Sequence, residues 1–168
     1  ESERDKSRPH FRYGGGVERK PSIIVFICGE AGRIGERGTH DTDENLEQFT
    51  QNMESYAEYL VGPLCELGTH QVHVTGALKA PEGKFDEVRQ IMADSFGKCF
   101  AEARVQVDLS GLNQVGSVMS GFDHMENWIE GRQGFLGEVA GVFWMRGDIL
   151  LTSLALAAWP LNNICFLW

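Results

Sequence analysis

Ser22-Ile23-Ile24-Val25-Phe26-Ile27-Cys28 decides how the chain is read. It is an apolar, β-branched run with no polar alternation. Such a run fits a strand covered on both faces, as in a parallel sheet. It is followed by a glycine-rich polar loop, Gly29-Glu30-Ala31-Gly32-Arg33-Ile34-Gly35-Glu36-Arg37-Gly38, and then Thr39 to Asp43.

Working outward, Asn45 to Leu67 predicts a long helix. Leu46, Phe49, Met53, Tyr56, Leu60, Leu64 and Leu67 recur in three- and four-residue steps along one stripe. Asp41 or Asp43 is placed to cap it, Gly68 to stop it, and Gly62-Pro63 to kink it. Gln71 to Leu78 alternates as a second strand. Phe85, Val88, Ile91, Met92 and Phe96 mark a second helix closed by Gly97. Ala103 to Leu109 reads as a third strand. Ser110 is placed to cap a third helix carrying Leu112, Val115, Met119, Phe122 and Ile129. Gly131 to Gly137 breaks that helix, and Val139 to Met145 is a fourth strand. The expectation is an α/β fold with a mostly parallel sheet in β-α-β-α-β-α-β order, a Rossmann-like half domain.

Residues 1–21 are densely charged and hold Gly14-Gly15-Gly16, so they are expected to be a disordered leader. Residues 22–168 form a single α/β domain, and its apolar end at Trp168 suggests that it is incomplete at the C-terminus. A formal charge of −9 argues against nucleic acid as a partner, because phosphate backbones select for excess Lys and Arg. Ile149 to Trp168 is apolar but interrupted by Pro160, Asn162 and Asn163, so it is expected to be a packed strand plus buried loop, not a membrane span. The four cysteines, Cys28, Cys65, Cys99 and Cys165, show no CxxC spacing and read as buried free thiols. Met53, Met92, Met119 and Met125 read as core filler. His124 beside Asp123 and Glu126 reads as part of a solvated face.

Two clusters lie where open α/β sheets bind ligands, beyond the carboxyl ends of strands. Gly29, Gly32 and Gly35 form a GxxGxxG spacing that lets backbone N–H groups approach a phosphate, with Arg33 positioned to add a charge-assisted contact. No Gly-Lys-Ser/Thr follows, so it is not a Walker A loop. Arg146-Gly147-Asp148 directly follows the fourth strand. A charged pair there is either a structural pair or a ligand site, with Asp148 able to hold a divalent metal, Mn or Mg.

The end of the chain resembles a family. Val142-Phe143-Trp144-Met145-Arg146-Gly147-Asp148, then Trp159-Pro160-Leu161 and Ile164-Cys165-Phe166, is similar to a segment of GT-A-like glycosyltransferases of algae and other protists. There it stands where other GT-A enzymes carry Asp-x-Asp. The resemblance implies a donor-binding part that takes a nucleoside-diphosphate sugar. Asp148 would contact a metal and the diphosphate, Arg146 would orient the site or pair with it, and Gly29 to Gly38 would lie near base and ribose. It also implies a Golgi or secretory setting and an acceptor half beyond Trp168. Arg146 departs from the pattern, since it replaces the first acid of Asp-x-Asp. Two rival readings stay open: an NAD(P)-binding oxidoreductase using the glycine loop, and a non-catalytic α/β interaction module.

Overall fold

The computed structural model describes residues 19–31, 43–106, 114–153 and 164–166. Within them the chain is α/β, with strands and helices alternating. Strand β1 is Ser22–Glu30. Helix α1 is Asp43–Tyr56, a π-helical turn covers Ala57–Val61, and α2 is Gly62–Leu67. Strand β2 is Gln71–Lys79, helix α3 is Phe85–Phe96, and a 3₁₀ turn spans Gly97–Cys99. Strand β3 is Phe100–Gln106, helix α4 is Gln114–Glu130, and α5 is Gln133–Leu136. Strand β4 is Val139–Arg146 and β5 is Ile164–Phe166. The five strands pair in the order β3-β2-β1-β4-β5. All four pairings are parallel.

β1 lies at the centre, which explains why its sequence does not alternate. Ile23, Val25 and Ile27 pack with α1, α2 and α3 on one face, beside Phe49, Met53, Leu60, Leu64, Val88 and Met92. Ile24, Phe26 and Cys28 pack on the other, beside Met125, Trp128, Leu136 and Trp144. Helices α1 to α3 thus cover one face, and α4 with α5 cover the other. The change of face follows the reversal of strand order. The chain runs outward from β1 to β3, then returns to place β4 on the far side of β1.

The expected kink is a π turn. Pro63 has no N–H, and its ring crowds the carbonyl four residues earlier. The helix widens just before it, with Gly62 N–H donating to the Ala57 carbonyl five residues back. A Cβ at Gly62 would stand 2.9 Å from that oxygen, so glycine is required there. Gly68 then ends the helix in the left-handed region, φ 63°.

Several expectations are corrected. Leu67 and Met119, expected on core stripes, are each 56% exposed; the buried side of α4 is Gly121, Met125 and Trp128. His124 is half-buried, its ring 6.2 Å from that of Phe26, so it is not on a solvated face. β3 starts at Phe100, before Ala103, because an edge strand tolerates the exposed Glu102. Residues 1–18 of the expected leader lie outside the described residues, and Arg19 to Pro21 contact the domain. Arg19 donates to the Gly134 carbonyl and Lys20 to that of Gly68, and Pro21 accepts from Gln71 N–H. β5 supplies the strand expected in the apolar C-terminal segment. No helix among the described residues is long and apolar enough to cross a membrane. The capping residues Asp41 and Ser110 lie outside the described residues.

Candidate functional site

The strand order turns back on itself between β1 and β4, and their carboxyl ends form one rim. Cys28 stands opposite Arg146 in the register. Gly147 N–H then donates to the Cys28 carbonyl at 2.8 Å, which extends the pairing past the end of β4. Gly29 follows with φ 101°, a conformation that favours glycine. Gly29 and the Arg146-Gly147-Asp148 turn therefore share an edge of the same sheet. Gly32, Arg33 and Gly35 lie outside the described residues.

Gly147 is fixed by crowding. A Cβ there would stand 3.0 Å from the Glu30 carbonyl oxygen, 3.1 Å from Leu78 Cδ2 and 3.4 Å from Phe49 Cε2. The turn is held on its other side by a polar row on α1. Asn52, 1% exposed, donates Nδ2–H to the Gly147 carbonyl at 3.1 Å. Tyr56 donates its hydroxyl to the Arg146 carbonyl at 2.5 Å. Ser55 Oγ accepts from Leu151 N–H at 3.0 Å. Gln48 Nε2–H donates to Asn52 Oδ1 at 3.1 Å, which turns the Asn52 amide toward Gly147. The sequence pattern marks Tyr56 for packing alone and does not single out Asn52 and Ser55. Their signal was polar residues inside the buried stripe beside Met53.

Arg146 and Asp148 clasp each other. Nε donates to Oδ1 at 2.9 Å, and a terminal guanidinium nitrogen donates to Oδ2 at 2.6 Å. The side chains are 29% and 13% exposed. This two-pronged geometry is the strongest form of carboxylate–guanidinium pairing. It holds the guanidinium pKa above its ordinary value. A divalent cation needs several converging oxygen ligands. Both oxygens of Asp148 already accept from Arg146. No group of three His, Cys, Asp or Glu converges among the described residues. As placed, these residues do not fit a metal site, because a cation would first have to displace Arg146.

A second feature of the rim was not legible beforehand. Arg146, Cys28, Ala77 and Arg104 form one row across four strands. Cys28 packs on the α4 face, so this row faces α4. On that side a small recess of about 30 Å³, room for about one water, is lined by Gly29, Lys79, Arg104, Gln106, Ser120 and Gly121. Arg146 and Arg104 lie at the two ends of the row, three strand spacings or roughly 14 Å apart. Arg104, Lys79 and Arg146 stand along this rim together with the carboxylates of Glu30 and Asp148.

Two titratable groups, Cys28 and Tyr56, lie beneath the rim. Burial pushes the Cys28 thiol up to about 12. Burial, and then the Asp148 carboxylate, push the Tyr56 phenol above its ordinary range. Both stay neutral near pH 7. The described rim is held in shape by the contacts of Asn52 and Tyr56 and by the Arg146–Asp148 clasp. No protein-family description, curated protein or solved structure matches the chain.

Proposed function

We propose that this chain is a donor-binding part of a GT-A-like glycosyltransferase, taking a nucleoside-diphosphate sugar at the β1–β4 rim. The observation that carries the reading is the Arg146–Asp148 clasp beside Gly29, at the point where strand order reverses. Open parallel sheets bind nucleotides there, because the loops diverge to opposite faces and leave a crevice. Arg146 is the group for the diphosphate: its charge is permanent, and the clasp with Asp148 engages Nε and one terminal nitrogen, which leaves the other terminal nitrogen for a phosphoryl oxygen. Asp148 is a positioning residue that holds the fork. Gly29 lets the backbone come close to the ligand.

The test is titration calorimetry of the full chain with UDP- and GDP-sugars, with Mn²⁺ and with chelator. The expected result is saturable heat in chelator, lost in Arg146→Ala and weakened in Asp148→Asn. Absence of heat with every donor, from protein with a cooperative melt, overturns the reading. Binding that requires Mn²⁺ would overturn the assignment of the diphosphate to Arg146 and return Asp148 to the metal.

A second reading is favoured by the strand order. β3-β2-β1-β4-β5, all parallel, is the order used by dinucleotide-binding sheets. Its discriminator, a helix starting by Gly35, lies outside the described residues. Lys79 ends β2 where an acid would bind a ribose hydroxyl, so this reading expects a 2′-phosphorylated dinucleotide. NADPH in the same calorimetry separates the two.

A further inference from the structure

Two cysteines lie far from the rim, at the opposite end of the sheet. Cys65 sits in the last turn of α2, shortly before Gly68. Cys99 ends the 3₁₀ turn that leads into β3. Both thiols are partly buried against the core beneath α1 and α3. Their Sγ atoms stand 3.0 Å apart, across 34 residues of sequence. We propose that Cys65 and Cys99 form a structural disulfide that clips the end of α2 to the start of β3.

The geometry supports the bond in three ways. The sulfurs already face each other and need to close by about 1 Å to reach a covalent S–S length of about 2.04 Å. Both residues lie at ends of regular elements, where the backbone can move slightly without breaking a ladder. The loop they would close contains β2 and α3, so the bond ties the start of edge strand β3 to the end of α2, two elements with β2 and α3 between them in the chain. Spacing in the sequence gave no hint of this, because the pair is not a CxxC motif.

The reaction needs an oxidant, which we assign to a low-molecular-weight disulfide such as oxidised glutathione. One cysteine, as thiolate, attacks a sulfur of that disulfide. This makes a mixed disulfide and releases one small thiol. The second cysteine attacks the protein-side sulfur of the mixed disulfide and releases the other small thiol. Two protein thiols are oxidised, one small disulfide is reduced to two thiols, and both protons end on the released thiols. Burial and the neighbouring Cys99 hold the Cys65 thiol up at about 12, which makes Cys65 a slow nucleophile at neutral pH.

The experiment is oxidation of the full chain with oxidised glutathione, followed by unfolding, alkylation and peptide mapping without reductant. The expected product is one linked peptide pair, Cys65 with Cys99, with Cys28 and Cys165 alkylated. The melting temperature should exceed that of the reduced protein by about 10 °C, from closure of a loop of this length. Cys65→Ser and Cys99→Ser should each abolish the increment. Four alkylated cysteines after oxidation, or a bond joining any other pair, overturn the proposal. So does an increment that survives in either serine variant. The mapping uses the unaltered chain, so it stands even if a variant folds poorly.

Discussion

Tyr56 donates its hydroxyl to the main-chain carbonyl of Arg146 at 2.5 Å, joining α1 to the end of β4 across 90 residues of sequence. The bond is partly buried and satisfies a carbonyl at the point where β4 leaves its ladder. Removing the donor leaves that carbonyl without this partner. Tyr56→Phe should lower stability by about 1–2 kcal/mol, or roughly 3–6 °C in melting temperature. The variant also has an alkaline signature. The folded phenol is held above its ordinary value of 10.0, mainly by burial. Its contribution is complete below pH 10 and is lost as pH rises further, since the unfolded chain ionises first. Urea titrations between pH 8 and 11 should show wild-type stability falling more steeply above pH 10 than that of Tyr56→Phe. Parallel slopes would disprove the assignment.

Gly147 is required by crowding, not by an unusual backbone angle. The added methyl of Gly147→Ala would meet the Glu30 carbonyl, Leu78 and Phe49 at 3.0 to 3.4 Å. Overpacking of this kind costs about 1–3 kcal/mol. Gly134 in α5 has nothing within 4 Å of the equivalent position. Gly134→Ala should be neutral or stabilising by up to about 1 kcal/mol. Equilibrium unfolding of the two variants checks the contrast, and equal effects would refute the crowding argument.

How far the sequence carried this reading depends on which residues one asks about. Ser22 to Cys28 announced a doubly covered parallel strand because both faces had to be apolar, and β1 is buried along that run. The helices were legible from their stripes, and Gly68 and Gly97 from their position at helix ends. Strand order was not legible, because local periodicity carries no information about which strand lies beside β1. Leu67 fell at the last residue of α2, and Met119 on the side of α4 turned away from Gly121, Met125 and Trp128. At the site, Arg146 and Asp148 were found because charge after an apolar strand is costly unless paired. Their mutual clasp was one of two open outcomes. Asn52, Ser55 and Arg104 were missed because each acts through a contact far away in sequence.

The Arg146–Asp148 clasp makes a quantitative claim of its own. Both side chains are mostly shielded, so each single truncation leaves a partly buried charge without its partner. Arg146→Met and Asp148→Asn should each cost about 1–3 kcal/mol, and the double variant should cost less than their sum. A coupling energy of about 1–2 kcal/mol in a double-mutant cycle, little changed by salt, is the expected outcome. Strict additivity would mean that the two groups do not interact in solution.

His73 predicts the acid side of the stability profile. It lies on β2, its Nε2 3.2 Å from Ser22 Oγ, with Phe135 packed against its ring at 5.6 Å between centroids. Burial lowers its pKa below the ordinary 6.5. The charged form is thus disfavoured in the folded chain, and the unfolded chain takes up the proton first. Stability from this residue is complete above pH 6.5 and declines as pH falls from there toward the lowered folded value. His124 is shifted in the same direction, by burial first and then by Arg104, so the two effects add in sign. Denaturant midpoints measured from pH 7.5 to 5 should therefore fall with acid. His73→Gln, which keeps a polar group near Ser22 but does not titrate there, should flatten part of the fall. His73→Gln with His124→Gln should flatten more of it. A wild-type midpoint that rises on acidification over this interval, or a double variant as steep as wild type, would show that neither imidazole is held neutral by the fold.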